Sequence, residues 1–138
     1  MVRSTQRSTC PGPQNVQMPG GLACGFIVTI PNHNVKIWHM GDTSLFSDMK
    51  LINDLYEPTH ALVPIGEQFT MNYKDAAYAV ANYMPNVTTV IPMHLCAKGR
   101  SMDLMDFEPF VKHATDLGAG AKKYIHPKDF FGGAALVE

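Results

Sequence analysis

Trp38-His39-Met40-Gly41-Asp42-Thr43 is the stretch on which the fold reading turns, because an apolar strand runs out there into a tight glycine turn and a carboxylate. Open α/β sheets place their ligands at the carboxyl ends of strands, so Asp42 is delivered to a functional rim. Two more strand ends follow the same pattern. Val63-Pro64-Ile65-Gly66 runs into Phe69-Thr70-Met71, and Val90-Ile91-Pro92-Met93 runs into His94. A carboxylate and an imidazole thus come to one edge, a pairing that suggests a metal.

Working outward, Leu22 to Ile30 reads as a strand. Pro31-Asn32-His33-Asn34 is strong turn chemistry, and Val35 to Met40 resumes as a second, hairpin-paired strand. Asp42 or Thr43 is placed to cap a helix whose apolar residues Leu45, Met49, Ile52 and Tyr56 share one face, and Pro58 ends it. Ala61 to Ile65 is a short apolar run of the kind buried on both faces of a sheet. Asn72 can cap the next helix, with Ala76, Ala77, Val80, Tyr83 and Met84 inward and Pro85 closing it. Val87 to Met93 is the following strand. Leu104, Phe107, Phe110, Val111, Ala114 and Leu117 mark a third helix ending at Gly118, and Lys122 to His126 reads as an edge strand. The order β-β-α-β-α-β-α-β describes a layered α/β domain over residues 22–138, preceded by a Ser-, Thr-, Pro- and Gly-rich stretch, 1–21, that reads as a mobile arm.

Composition bounds the function. With 138 residues, 46% hydrophobic and 17% charged, the chain suits one domain with a real core. A formal net charge of −1 with scattered Lys and Arg gives no reason to expect nucleic acid or an anionic membrane as partner. No apolar run approaches the roughly 20 residues of a membrane span, and residues 1–21 hold no signal-peptide core. Cys10, Cys24 and Cys96 are odd in number and far apart, which points to free thiols and a cytoplasmic location.

Four ordered motifs then carry a family resemblance: Gly20-Gly21-Leu22-Ala23-Cys24-Gly25-Phe26; His39-Met40-Gly41-Asp42-Thr43; Leu62-Val63-Pro64-Ile65-Gly66 with Phe69-Thr70-Met71; and Ile91-Pro92-Met93-His94. From Gly20 onward the chain resembles the C-terminal half of the metallo-β-lactamase superfamily, in its branch of small metal-dependent, lactonase-like and uncharacterised bacterial hydrolases. The resemblance implies an α/β fold equal to one half of an αββα sandwich, a mixed sheet with helices on one face. It implies that Asp42 and His94 are metal ligands, the first bridging two ions. The divalent metal so held would be zinc, with manganese, iron and nickel also compatible with such donors. The implied reaction is hydrolysis of an ester, lactone or phosphodiester-type bond in a small-molecule substrate by a metal-bound hydroxide. Thr43, Glu67, Phe69 and Thr70 would line the substrate pocket.

The chain also departs from the family pattern. Its main ligand signature, His-x-His-x-Asp-His, is not in this sequence; His33, His39, His60, His94, His113 and His126 are isolated. No catalytic residue is assigned, and Cys96 beside His94 lacks the partner spacing of a Cys/His nucleophile. Half a sandwich also leaves one sheet face apolar and uncovered, larger than monomers tolerate. The expected partner is a second copy in a homo-oligomer or a missing N-terminal half, as for a truncated chain. The alternative is a non-catalytic oligomerising or interaction domain derived from the hydrolase fold.

Overall fold

A computed structural model describes residues 2–3, 9–11, 17–19, 23–66, 70–95, 107–126 and 129. Three short strands come first: β1 (Val2–Arg3), β2 (Thr9–Pro11) and β3 (Gln17–Pro19). They lie in the stretch read from sequence as an arm. β2 and β3 pair with each other, and β1 pairs antiparallel with Cys24 and Gly25 of β4 (Cys24–Ile30). The rest alternates: β5 (Val35–His39), α1 (Asp48–Tyr56), β6 (His60–Pro64), α2 (Tyr73–Asn82), β7 (Thr89–Met93), α3 (Phe107–Ala114) and β8 (Lys123–Tyr124).

The main sheet has the order β1-β4-β5-β6-β7-β8. Its β4–β5 hairpin is antiparallel, and β5, β6, β7 and β8 are mutually parallel. The hairpin turn works because Asn32 and Asn34 take left-handed backbone angles, φ 69° and 49°, which Asn tolerates better than most residues. Parallel strands need crossovers, and the three helices supply them.

The register sorts each strand's side chains between two faces. Ile27 with Trp38, Trp38 with Ala61, and Ala61 with Val90 fall in one row, and Val63 with Pro92 in the next. These residues meet the helices. Trp38, Ala61, Val63 and Val90 join Met49, Ala76, Ala77, Val80, Met84 and Phe110 in the buried core. Each large apolar side chain so enclosed contributes about 1.5–3 kcal/mol. The alanines of α2 keep that helix close to the sheet.

The opposite row is uncovered, as the half-sandwich reading requires. Phe26, Val28 and Ile30 lie opposite His39, Ile37 and Val35 and remain 48%, 49% and 38% exposed. Leu62 and Ile91 continue the same face across β6 and β7.

Helix ends follow local chemistry, with two corrections to the sequence reading. Asn72 caps α2 as expected, its side-chain oxygen accepting from the amides of Lys74 and Asp75 at 2.9 Å each. α1, however, starts at Asp48 with Ser47 as its N-cap, so neither Asp42 nor Thr43 caps it. The reason is a competing bond: the Thr43 carbonyl accepts from the Met71 amide, which fastens the segment to the approach to α2. Glu57, in the left-handed region, closes α1 and Pro58 follows. The second correction concerns Leu117, which is exposed. Past Ala114 the helix widens into a π-type turn, Thr115–Ala119, and the extra residue per turn rotates Leu117 off the buried face. Gly118, at φ 97°, breaks the helical path inside this turn. Leu104 lies outside the described residues.

Two polar ties join these pieces. Asn53, fully buried on α1, accepts from the Asn86 amide at 3.3 Å, and its own carbonyl accepts from the Asn86 side chain at 3.2 Å. Lys122 donates to the carbonyls of Met84 and Val87 at 2.8 and 2.6 Å, and burial holds its ammonium below the usual lysine range.

Candidate metal centre

Three strand ends are fastened into one rim. Beyond β5, the Met40 amide donates to the Leu62 carbonyl at 3.3 Å. Beyond β6, the Ile65 amide donates to the Met93 carbonyl at 3.0 Å, and Met71 reaches back to Thr43 at 3.1 Å. Asp42 follows the first strand and His94 the last.

Gly41 makes the first corner. It turns at φ 70°, and a Cβ there would sit inside 3.0 Å of the Cys24 carbonyl oxygen. Only glycine combines that backbone angle with so close an approach. The neighbouring His39 completes the turn: its Nδ1 accepts the Gly41 amide at 3.2 Å, which leaves Nε2 as the outward nitrogen. His39 is exposed and not part of the core: it lies at the end of β5 on the uncovered sheet face beside Phe26. A core position would have buried an imidazole that now orders a turn through one nitrogen.

His94 Nε2 lies 3.7 Å from Asp42 Oδ1, with both side chains partly open to solvent, 36% and 58% exposed. That spacing exceeds a hydrogen bond and suits two donors sharing a cation, or an ion pair once the ring is protonated. The structure thus brings together the two residues singled out as ligands.

Imidazole nitrogen and carboxylate oxygen are donors that zinc and its neighbours accept. Their number falls short. Protein zinc sites normally use three or four protein donors, and among the described residues no group of three His, Cys, Asp or Glu side chains could hold a metal ion. The described residues do not by themselves fit a metal, and no chemical step follows from them alone.

The other histidines stand elsewhere. His33 is in the hairpin turn, and His60 pairs with the Thr59 hydroxyl at the opposite end of β6, at 2.8 Å. His113 and His126 set their rings edge-on to Tyr73 and Phe107. Of the expected pocket residues, Thr43 is buried, its hydroxyl donating to the Ser44 carbonyl at 2.9 Å. Thr70 is also buried and its hydroxyl accepts the Gly66 amide at 2.8 Å. Glu67 and Phe69 lie outside the described residues. Sequence reasoning placed Gly66 at this rim, in the strand end Val63-Pro64-Ile65-Gly66, but gave it no role beside His94. Cys24 is a free thiol. Among the described residues no helix is long and apolar enough to cross a membrane.

A mixed sheet covered by helices on one face, with a carboxylate and an imidazole at its carboxyl rim, matches the half-sandwich that the family resemblance implied. The comparisons with known proteins agree. Over 75 residues the chain is 53% identical to a UPF0173 metal-dependent hydrolase of Methanosarcina barkeri, a match covering 54% of this chain and 31% of that protein. Over 102 residues it is 47% identical to a UPF0173 metal-dependent hydrolase of Cupriavidus metallidurans, covering 74% and 33%. Among solved structures, Igni18, a metallo hydrolase from the hyperthermophilic archaeon Ignicoccus hospitalis, superposes with a TM-score of 0.62 at 26% identity. That likeness covers 91% of this chain and 46% of Igni18. These likenesses bear out the resemblance to the metallo-β-lactamase-like superfamily, over part of its fold. No family model matches. The chain spans about a third of the length of the curated relatives reported above.

Proposed function

We propose that this chain is one half of a metal-dependent hydrolase and that Asp42 and His94 are its contribution to a divalent-metal site completed by donors from outside the described residues. The observation that carries the reading is the 3.7 Å approach of these two donor side chains across a rim built from three fastened strand ends. The names of the relatives support the metal and the hydrolytic class. Donor chemistry favours zinc, with manganese, iron and nickel as alternatives. The bond attacked is of the ester, lactone or phosphodiester type in a small molecule, and the cytoplasm is the compartment consistent with a free Cys24 thiol.

Assembly belongs to the same proposal. The uncovered face formed by Phe26, Val28, Ile30, Ile37, Leu62 and Ile91 runs up to the rim that carries Asp42 and His94. A partner layer packed there, from a second copy or from an N-terminal half, would border the site and can supply the missing donors. The exposed face together with the short donor set also favours a second reading, an interaction domain that keeps the fold without the chemistry.

Metal content measured together with solution mass separates the two. The expected result is substoichiometric metal on the monomer, retention on the assembled species, and loss in Asp42→Ala and His94→Ala. Assembled protein whose metal content is unchanged by Asp42→Ala would overturn the ligand assignment. Assembled protein that binds no divalent metal would leave the interaction-domain reading.

A further inference from the structure

We infer that Gly66 and Thr70 are positioning residues for His94: together they form a seat without side-chain bulk at the end of β6 that holds the imidazole facing Asp42. The inference starts from the backbone of His94. Its φ is 60°, in the left-handed region where a side chain other than glycine is strained. Such a conformation persists when its surroundings over-determine it. Here the surroundings are Gly66. A Cβ on Gly66 would sit inside 3.0 Å of both the His94 ring Nδ1 and the His94 carbonyl oxygen. The ring could yield only by rotating, which carries Nε2 away from Asp42. The carbonyl belongs to the chain leaving β7 and cannot yield without moving that strand end.

Thr70 fixes the seat itself. Its hydroxyl accepts the Gly66 amide at 2.8 Å while the preceding amide, that of Ile65, donates to the Met93 carbonyl at 3.0 Å. Gly66 is therefore anchored on one side to β7 and on the other to the segment entering α2. That segment also holds the Asp42 turn, through the bond from Met71 to the Thr43 carbonyl. One loop thus touches both halves of the pair: by main-chain bonding beside Asp42, and by backbone contact beneath His94. Thr70 is buried, and its bond to Gly66 is partly buried with it. The inference refines the ligand reading above, but its geometry does not depend on a bound ion.

The test uses imidazole NMR on the chain with labelled histidine, free of metal, in the wild type, Gly66→Ala and Thr70→Val. Thr70→Val keeps shape and removes the acceptor. Expected are wild-type nuclear Overhauser contacts from the His94 ring to the Gly66 α-protons and to Asp42. The Asp42 contact should be lost and the ring nitrogen shifts should move in Gly66→Ala, with a smaller change in Thr70→Val. Amides of β6, β7 and α2 should stay dispersed as in the wild type. An unmoved His94 ring in folded Gly66→Ala would overturn the inference. Should Gly66→Ala fail to fold, Thr70→Val decides, and unchanged His94 signals there would overturn it equally. A second arm reads metal affinity in the assembled protein. Gly66→Ala should weaken it about 10- to 100-fold, the usual effect of disturbing a ligand's support. Unchanged affinity alongside a displaced His94 ring would overturn the ligand assignment of His94 and leave the seat standing. Because the first arm needs no metal, failure of the metal reading and failure of the positioning inference give different results.

Discussion

Replacing Gly41 by alanine should cost the fold roughly twice what the same change costs at Gly118, although both glycines have left-handed backbones. At Gly41, φ is 70° and the new Cβ meets the Cys24 carbonyl oxygen inside 3.0 Å; at Gly118, φ is 97° and, among the described residues, the new Cβ meets nothing within 4 Å beyond its own helix and chain neighbours. The left-handed backbone itself costs a residue with a Cβ roughly 1–2 kcal/mol. The contact at Gly41 adds to that, because a strand carbonyl can retreat only if β4 shifts against β5 near the Phe26–His39 pair. Overpacking of that kind costs about 1–3 kcal/mol. The totals are roughly 2–5 kcal/mol for Gly41→Ala and about 1–2 kcal/mol for Gly118→Ala. Equilibrium urea unfolding of the wild type and both variants measures the difference, provided the slopes agree. Equal losses at the two positions would refute the argument, since they would show that the approach to Cys24 exerts no force on the turn preceding Asp42.

Two further outcomes are expected. Asn53→Ala removes the fully buried side chain that accepts from the Asn86 amide and should lower stability by about 1 kcal/mol in the same assay, the usual worth of one such bond, whereas Lys50→Ala, an exposed i,i+4 partner of Asp54, should change it little. Tyr124 donates to the Ala119 carbonyl at 2.9 Å, and burial pushes its phenol up to about 12 from 10.0. The unfolded chain therefore releases this proton first, so the stabilisation is whole below about pH 10 and disappears as pH rises through about 12. Tyr124→Phe should flatten alkaline unfolding over that interval, and an unchanged alkaline profile would reject it.

The layered α/β order was legible in the sequence because strands and helices here have clean punctuation. Pro31-Asn32-His33-Asn34 could only be a turn, Asn72 sits three residues before an acidic Asp75 in the first turn of α2, and Pro58 and Pro85 follow the ends of two helices. What misled was long-range bonding. Nothing local to Thr43 announces that its carbonyl will be taken by Met71, yet that bond defers α1 to Asp48. The π-type turn after Ala114 is likewise invisible to a helical-period count, which therefore placed Leu117 inward. At the rim, Asp42 and His94 were visible as strand-end residues. The contact of Gly66 with His94 was not, since it joins loops from different crossovers and depends on an atom that glycine does not have.

The outer edge of β4 has a consequence for the behaviour of the chain in solution. β1 meets only Cys24 and Gly25, so among the described residues no strand pairs with Phe26 to Ile30 on that side. Phe26-Ile27-Val28-Thr29-Ile30 contains no charge and no proline, the usual guards of a sheet border. Its backbone donors and acceptors form a template for strand addition, and its sequence has the β-branched, uncharged character of self-stacking segments. With a formal net charge of only −1, repulsion between molecules does little to oppose this. Strand addition at this border is therefore a route to self-association, and Thr29→Lys, at an exposed position on the helix-bearing side of the strand, should keep concentrated chain from building intermolecular sheet.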